Sequence, residues 1–128
     1  MGEIIRTNLR LTFPGGAPLS HGKAELMELI RETGSIRQAA ARMEMSYRRA
    51  WLLVDELNRM FKQAVVETKH GGKSGGGADL TGFGAELLNR FRAMEGQTMK
   101  ALRADLEWLE ANANLQAEAA PSASDPET

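Results

Sequence analysis

Residues 35–61 read SIRQAAARMEMSYRRAWLLVDELNRMF, and this stretch decides the fold because it contains two helix starts in close succession. Its opening, SIRQ, is a capping-box pattern that predicts a short helix ending near Met43. Ser46 then caps a longer helix that ends near Phe61, with apolar residues at helical spacing along one side. The short link predicts the tight turn of a helix-turn-helix motif, and the alanines at 39–41 allow a close helix crossing.

The segment before this stretch predicts one strand and one further helix. Residues from Ile5 to Phe13 alternate between apolar and polar side chains, a pattern typical of a half-buried strand that ends at Pro14. Ser20 can cap a helix that runs to about Glu32. This helix would precede the helix-turn-helix pair, so that the pattern predicts three helices in succession.

The segment after the pair predicts a β-hairpin. Ala64–Thr68 and Ala78–Thr81 are short strand candidates, and the run GGKSGGG at 71–77 would form a glycine-rich tip between them. The Gly-Lys-Ser letters of this run are not a phosphate-binding loop, because Glu67 stands where that motif requires glycine. Three helices and a hairpin predict a mostly α-helical fold with a small β-hairpin, a winged helix-turn-helix domain over residues 1–81.

The remaining sequence predicts one long helix and a tail. Apolar residues recur every three or four positions from Ala85 to Asn112, so we assign residues 82–112 to a C-terminal helix and residues 113–128 to a disordered tail. A helix this long exceeds what one small domain can cover, which favours a homodimer seam over an intramolecular core. The residues predicted for this seam are Leu87, Phe91, Met94, Leu102, Leu106 and Leu109.

Composition excludes several classes of protein. The chain has no cysteine, which excludes disulfides and thiolate metal sites, and its two histidines show no metal-ligand spacing, so we expect no metal and no cofactor. No nucleophile–base or carboxylate pair is visible, so we do not expect an enzyme. The sequence shows neither a signal peptide nor an apolar run of about 18 residues. We therefore expect a cytoplasmic protein that does not enter a membrane.

The distribution of charge points to a polyanionic partner. Residues 35–77 carry eight Lys/Arg against four Asp/Glu, whereas residues 78–128 carry four against nine. A basic middle that coincides with a helix-turn-helix is the electrostatic footprint expected for double-stranded DNA. The residues predicted to contact DNA are Ser35, Arg37, Ser46, Tyr47, Arg48, Arg49, Lys69, Lys73 and Ser74.

The start of the second helix of the pair carries the strongest candidates, because a recognition helix contacts base edges with its N-terminal residues. Arg48 and Arg49 can bind guanine, with a solvated surface pair as the alternative. Tyr47 is either a phosphate contact or part of the core. Trp51 we expect in the core, since an indole buries well.

Three segments resemble the ModE family of molybdate-responsive regulators: TGSIRQAA at 33–40, MSYRRAW at 45–51 and GGKSGGGADLT at 71–81. The resemblance spans about residues 5–109 and implies a LysR-like winged helix that dimerises through its helices. It also implies that residues 46–49 face the major groove and that the lysine at position 73 lies on the wing.

The chain departs from the family pattern at two places. Glu44 stands where the family often has glycine in the turn, and a left-handed backbone there would strain glutamate by about 1–2 kcal/mol. Full-length members carry a molybdate-binding region after the DNA-binding part, and we expect this chain to lack it.

These observations predict a sequence-specific transcriptional regulator that binds DNA as a homodimer. The alternative is a protein-interaction module that uses the same fold to bind a separate molybdate-sensing protein or RNA polymerase.

Overall fold

The computed structural model describes residues 5–69 and 76–114. In chain order these residues form β1 (Arg10–Thr12), β2 (Pro18–Ser20), α1 (His21–Thr33), α2 (Ile36–Arg42), α3 (Tyr47–Met60), β3 (Val66–Lys69), β4 (Gly77–Leu80), α4 (Gly82–Ala101) and α5 (Arg103–Asn112). β1 pairs with β2 and β3 with β4, both antiparallel. The predicted mostly α-helical winged helix-turn-helix is therefore confirmed, with one hairpin, β1–β2, beyond the prediction.

The two serine caps form as the sequence predicts. The hydroxyl of Ser35 accepts a hydrogen bond from the amide of Gln38 at 3.0 Å at the start of α2. The hydroxyl of Ser46 accepts one from the amide of Arg49 at 3.0 Å at the start of α3. Each bond satisfies an amide that has no partner inside its own helix, so the starts of both helices are determined locally.

The turn between α2 and α3 contains a left-handed residue. Glu44 has a φ of 58°, and it is the non-glycine residue of positive φ in the described part of the chain. The amide of Met45 donates to the carbonyl of Ala40 at 3.0 Å, which closes the turn. The strained backbone expected for glutamate at this position is therefore present.

The first strand is shorter than predicted. Only Arg10–Thr12 of the alternating segment from Ile5 to Phe13 pairs as a strand, because its partner Pro18–Ser20 offers three residues. Ser20 occupies the N-cap position of α1 but makes no side-chain cap hydrogen bond there. An alternating pattern extends as strand only as far as a neighbouring strand accompanies it.

The core is built around α1, which contacts α2, α3, α4 and both hairpins. Side chains of α1, α3 and α4 and of the β3–β4 hairpin form one cluster, which includes Leu26, Met27, Ile30, Val54, Leu57, Val65, Leu80, Leu88 and Phe91. Ala39 and Ala40 of α2 are 0% and 1% exposed. Their small side chains let α2 pack closely in the core, as the sequence predicts.

The β3–β4 hairpin, which we call the wing, is tied to the helices by specific hydrogen bonds. The side chain of Asn58 on α3 binds the backbone of Val65 and Val66 at the start of the wing. The hydroxyl of Thr81 donates to the carbonyl of Ala64 at 2.7 Å and accepts from the amide of Gly84 at 2.9 Å, capping α4. These bonds set the position of the wing relative to α3 and α4.

The C-terminal segment differs from the single long helix predicted over residues 82–112. It forms two consecutive helices, α4 and α5, separated at Leu102, whose φ of −99° and ψ of 9° depart from helical values. One turn before the break, the hydroxyl of Thr98 donates to the carbonyl of Met94 at 2.9 Å, a bond of the kind that bends helices, and Gly96 lies two residues earlier. Most of the tail predicted at 113–128 lies outside the described residues.

Candidate nucleic-acid interface

The starts of α2 and α3 and the inner edge of the wing meet around one cleft of about 470 Å³. Its lining consists of Ser35, Ile36, Arg37, Gln38, Tyr47, Trp51, Thr68, Lys69, Gly76, Gly77 and Ala78. Four of the residues predicted to contact DNA, namely Ser35, Arg37, Tyr47 and Lys69, therefore lie together. Gln38 and Thr68 share this cleft and were not predicted, because only the folded chain brings the wing and the start of α2 to one cleft.

Three side chains stack in sequence across the helix-turn-helix. The guanidinium carbon of Arg37 lies over the ring of Tyr47, 4.1 Å from its centroid. The ring of Trp51 meets that of Tyr47 edge to face, with centroids 6.2 Å apart and an interplanar angle of 86°. Such contacts hold side chains in place without neutralising the cation.

Neither aromatic residue of this stack belongs to the core. Tyr47 is 39% exposed and Trp51 is 37% exposed. The expectation that Trp51 is a core residue is wrong, and the core alternative for Tyr47 is wrong as well. Successive residues of a helix turn by about 100°. With Ala50, Val54 and Leu57 facing the core, residues 47 and 51 fall on the flank that faces the wing.

Arg48 and Arg49 are both exposed, but they do not share the cleft. Arg49 lies on the opposite flank of α3, where it lines a second groove with Leu53 and the β1–β2 turn. Arg48 follows Tyr47 by one position and therefore lies between the two flanks, on the outward side. Leu52, one turn after Arg48, is 57% exposed on the same side.

The outward face of α3 carries less unpaired charge in its C-terminal half than at its first turn. Arg59 pairs with Asp55 one turn earlier. The hydrogen bond that the Arg59 guanidinium donates to Asp55 raises the pKa of Arg59 above its ordinary value. Because this cation already has a carboxylate partner, the unpaired positive charge of α3 is concentrated at its first turn.

Of the remaining predicted residues, Ser46 is the exposed N-cap of α3, and the others belong to the wing segment. Lys69 ends β3, is exposed, and pairs in register with Gly77 of β4. Lys73 and Ser74, together with the rest of the tip at 70–75, lie outside the described residues.

A buried lysine that the sequence analysis did not single out holds α3 against α1. Lys23 is 3% exposed, and its amine donates to the carbonyl of Pro18 at 2.6 Å and pairs with Glu56 at 2.5 Å. A buried charge requires such partners. The signal was its spacing, because Lys23 lies four and seven residues before Met27 and Ile30 on the apolar side of α1.

A charged cluster joins α1 to α4. Arg92 binds Glu28 through two hydrogen bonds, of 2.9 and 2.7 Å, and Glu95 through one of 2.7 Å. His21 Nδ1 lies 3.3 Å from Glu95 and 3.0 Å from Arg92. The bond from Arg92 lowers the pKa of Glu28, and the bond to Glu28 raises the pKa of Arg92. This cluster holds α4 beside α1.

The residues predicted for a dimer seam fall into two groups. Buried within the same chain are Leu87, Phe91 and Leu106. These side chains are already covered by their own chain, so they are not available to a partner in this arrangement. Met94 is half-buried, while Leu102 and Leu109 are 38% and 44% exposed.

In the described part of the chain, no helix is both long enough and apolar enough to cross a membrane.

Known proteins provide a comparison for this arrangement. The chain is 36% identical over 87 residues to the molybdenum transport protein ModE of Azotobacter vinelandii, covering 68% of this chain and 32% of that protein. It is 41% identical over 88 residues to the molybdenum-pterin-binding protein MopA of Rhodobacter capsulatus, covering 68% and 33%. It is 35% identical over 79 residues to the DNA-binding transcriptional dual regulator ModE of Escherichia coli K12, covering 62% and 30%.

No protein-family model matches the chain. The chain spans about a third of the length of the curated relatives that it matches. Over about two thirds of its own length, this winged helix-turn-helix chain is a relative of the proteins named ModE and MopA, which confirms its resemblance to the ModE family.

Proposed function

We propose that this protein is a transcriptional regulator that binds double-stranded DNA at specific sequences. The observation that carries the proposal is the clustering of Arg37, Tyr47 and Lys69 around one cleft, beside the exposed Arg48 at the start of α3. The relatives named as transcriptional regulators, one of them named as DNA-binding, support the same conclusion.

The geometry supports a different role for each of these residues. The first turn of α3 enters the major groove, where Arg48 can form a bidentate pair with guanine worth about 1–3 kcal/mol of discrimination. Arg37 and Lys69, at the two sides of the cleft, bind the phosphates that flank the groove. Arg49 contacts the backbone on the other flank of α3, where its groove opens. Lys73 and Ser74, which the sequence predicts for the wing tip, would add further phosphate contacts.

We further propose that residues 1–81 bind DNA and that α4 and α5 pair two copies of the chain. Leu102, Trp108 and Leu109 are exposed together on this segment, with Trp108 65% exposed. A dimer would present two recognition helices about 34 Å apart, in successive major grooves of a near-palindromic site.

The names of the relatives suggest the genes concerned. Relatives are named for molybdenum transport and for molybdenum-pterin binding. We therefore place the target sites beside genes of molybdenum homeostasis. A separate molybdate-sensing protein is the partner that would connect DNA binding to the metal supply.

Fluorescence anisotropy with duplex fragments across a salt series tests DNA binding. The wild type should bind, with the logarithm of affinity falling against that of salt by about 0.9 per phosphate contact. Arg48→Ala/Arg49→Ala should bind more weakly. The matched control is Arg90→Ala/Arg103→Ala, which removes the same charge from exposed positions of α4 and α5 and should retain binding.

Selection from random duplexes then tests specificity. An enriched, near-palindromic motif is the expected result. If the wild type fails to bind at low salt, DNA is not the partner, and the fold acts as a protein-interaction module instead. If it binds without any enriched motif, the protein is a non-specific DNA-binding protein and not a regulator of particular genes.

A further inference from the structure

We propose that Tyr47 is a positioning residue: its ring is the platform that holds Arg37 ready to bind a DNA phosphate, and its hydroxyl is dispensable. This inference rests on the proposed function and deepens it, because it assigns separate roles to two residues of one site. The aromatic ring acts through the arginine, and the arginine contacts the DNA.

The position of Arg37 is the first support. Its guanidinium carbon lies 4.1 Å from the centroid of the Tyr47 ring, well inside the limit of about 6 Å for a cation–π contact. Arg37 is the second residue of α2, and Tyr47 is the first residue of α3. The contact therefore joins the starts of the two helices of the motif, each already capped by a serine.

The ion pairing of the arginines is the second support. Four arginines of the described residues pair with carboxylates: Arg42 with Glu32, Arg59 with Asp55, Arg90 with Glu86 and Arg92 with Glu28. Arg37 has no carboxylate partner among residues 5–69 and 76–114, and its guanidinium lies over the Tyr47 ring instead. A ring positions a guanidinium without using its N–H donors, which lie in the guanidinium plane and remain available for a bidentate phosphate contact.

The contact between the Trp51 and Tyr47 rings is the third observation. The Trp51 ring meets the Tyr47 ring edge to face at 6.2 Å, one helical turn along α3, and restricts its movement. The same cleft has Lys69 on its far side, on the wing. Two cations, one held by the stack and one on a strand, thus face the space that the sugar–phosphate backbone would occupy beside the recognition helix.

The first experiment uses the free protein and tests the stack alone. Side-chain NMR of Arg37 should show upfield ring-current shifts in the wild type and in Tyr47→Phe. Tyr47→Leu keeps an apolar side chain but has no ring, and the shifts should vanish. Unshifted Arg37 resonances in the wild type would overturn the proposal whether or not the protein binds DNA.

The second experiment measures affinity for a selected duplex across salt, with melting temperatures confirming that each variant folds. Arg37→Ala should reduce the salt slope by about 0.9, the value for one phosphate contact. Tyr47→Leu should weaken binding about two- to fivefold, the equivalent of one exposed cation–π contact, and Tyr47→Phe should leave affinity unchanged. In the Arg37→Ala background, Tyr47→Leu should cause no further loss.

Each other outcome overturns the proposal in a recognisable way. An equal loss in Tyr47→Phe and Tyr47→Leu would assign the phosphate contact to the hydroxyl. If Tyr47→Leu lowers the affinity as much in the Arg37→Ala background as in the wild type, Tyr47 contacts DNA independently of Arg37. An unchanged salt slope in Arg37→Ala would show that this arginine binds no phosphate, while wild-type binding would still uphold the proposed function.

Discussion

The side-chain oxygen of Asn58 accepts a hydrogen bond from the backbone amide of Val65 at 2.7 Å, which joins the last turn of α3 to the start of the wing. The same oxygen accepts from the amide of Val66 at 3.0 Å, and the side-chain nitrogen donates to the carbonyl of Val66 at 3.1 Å. Val65 and Val66 are buried, at 0% and 3% exposure, so water has little access to their backbone groups. One amide side chain thus sets the distance between the recognition helix and the wing.

We expect Asn58→Ala to lower the free energy of unfolding by about 2–4 kcal/mol, because it leaves two amides beside the core without partners. Urea denaturation measures the change. Asn89→Ala, at an exposed position of α4, is the matched control and should stay within about 0.5 kcal/mol of the wild type. Equal stability of the two variants would mean that the wing is held by other contacts.

Glu44→Gly should stabilise the protein by about 1 kcal/mol. The φ of 58° at this position disfavours any side chain with a Cβ, and glycine relieves that strain at some cost in unfolded-state entropy. Glu44→Ala removes the charge but keeps the Cβ, so it separates the two effects and should bring no such gain. Thermal unfolding of the three proteins gives the comparison, and a stabilised alanine variant would assign the effect to charge.

Gly84→Ala should destabilise the fold by about 3 kcal/mol. A Cβ at this buried helix position would lie 2.2 Å from the carbonyl oxygen of Val65, which is backbone and cannot move aside easily. Gly96→Ala, in the same helix with open space around it, should instead stabilise by about 1 kcal/mol. If Gly84→Ala lowers the stability while Gly96→Ala raises it, α4 packs on the wing through Gly84. Changes in stability of the same sign at both positions would contradict this packing.

The Glu28–Arg92 pair predicts a loss of stability in acid. The hydrogen bond from Arg92 holds the pKa of Glu28 below its ordinary value of 4.5, so its contribution is present above that pH and is lost as the pH falls through the lowered pKa. The pair is partly exposed, and its contribution should be about 1 kcal/mol. Urea titrations between about pH 6 and pH 3 should therefore show a shallower decline for Glu28→Gln. Glu107→Gln, on the exposed surface of α5, is the control.

Leu102→Glu/Leu109→Glu should convert the proposed homodimer into monomers, because it places charges on the exposed apolar side chains of the α4–α5 segment. Sedimentation velocity measures the change. Leu52→Glu alters a leucine on α3 that is more exposed than either of these and should leave the dimer intact. A dimer that survives the double substitution would place the interface elsewhere.

The sequence alone determined the features that depend on interactions between residues close together in the chain. Ser35 and Ser46 start their helices through bonds to amides three residues ahead, and the turn at Glu44 follows from where those helices stop and start. The wing strands follow from two short apolar runs on either side of a glycine-rich segment. These are local interactions, and capping and turn rules describe them well.

The tertiary structure decided which side chains meet and which stay outside the core. It buries Lys23 and exposes Trp51, against the hydrophobicity of each, because partners from other elements satisfy the lysine amine and the wing leaves the indole at a cleft. It also separates Arg49 from Arg37 and brings Lys69 to the same cleft as Arg37. Periodicity describes the faces of one helix, whereas a site made from several elements depends on how those faces pack.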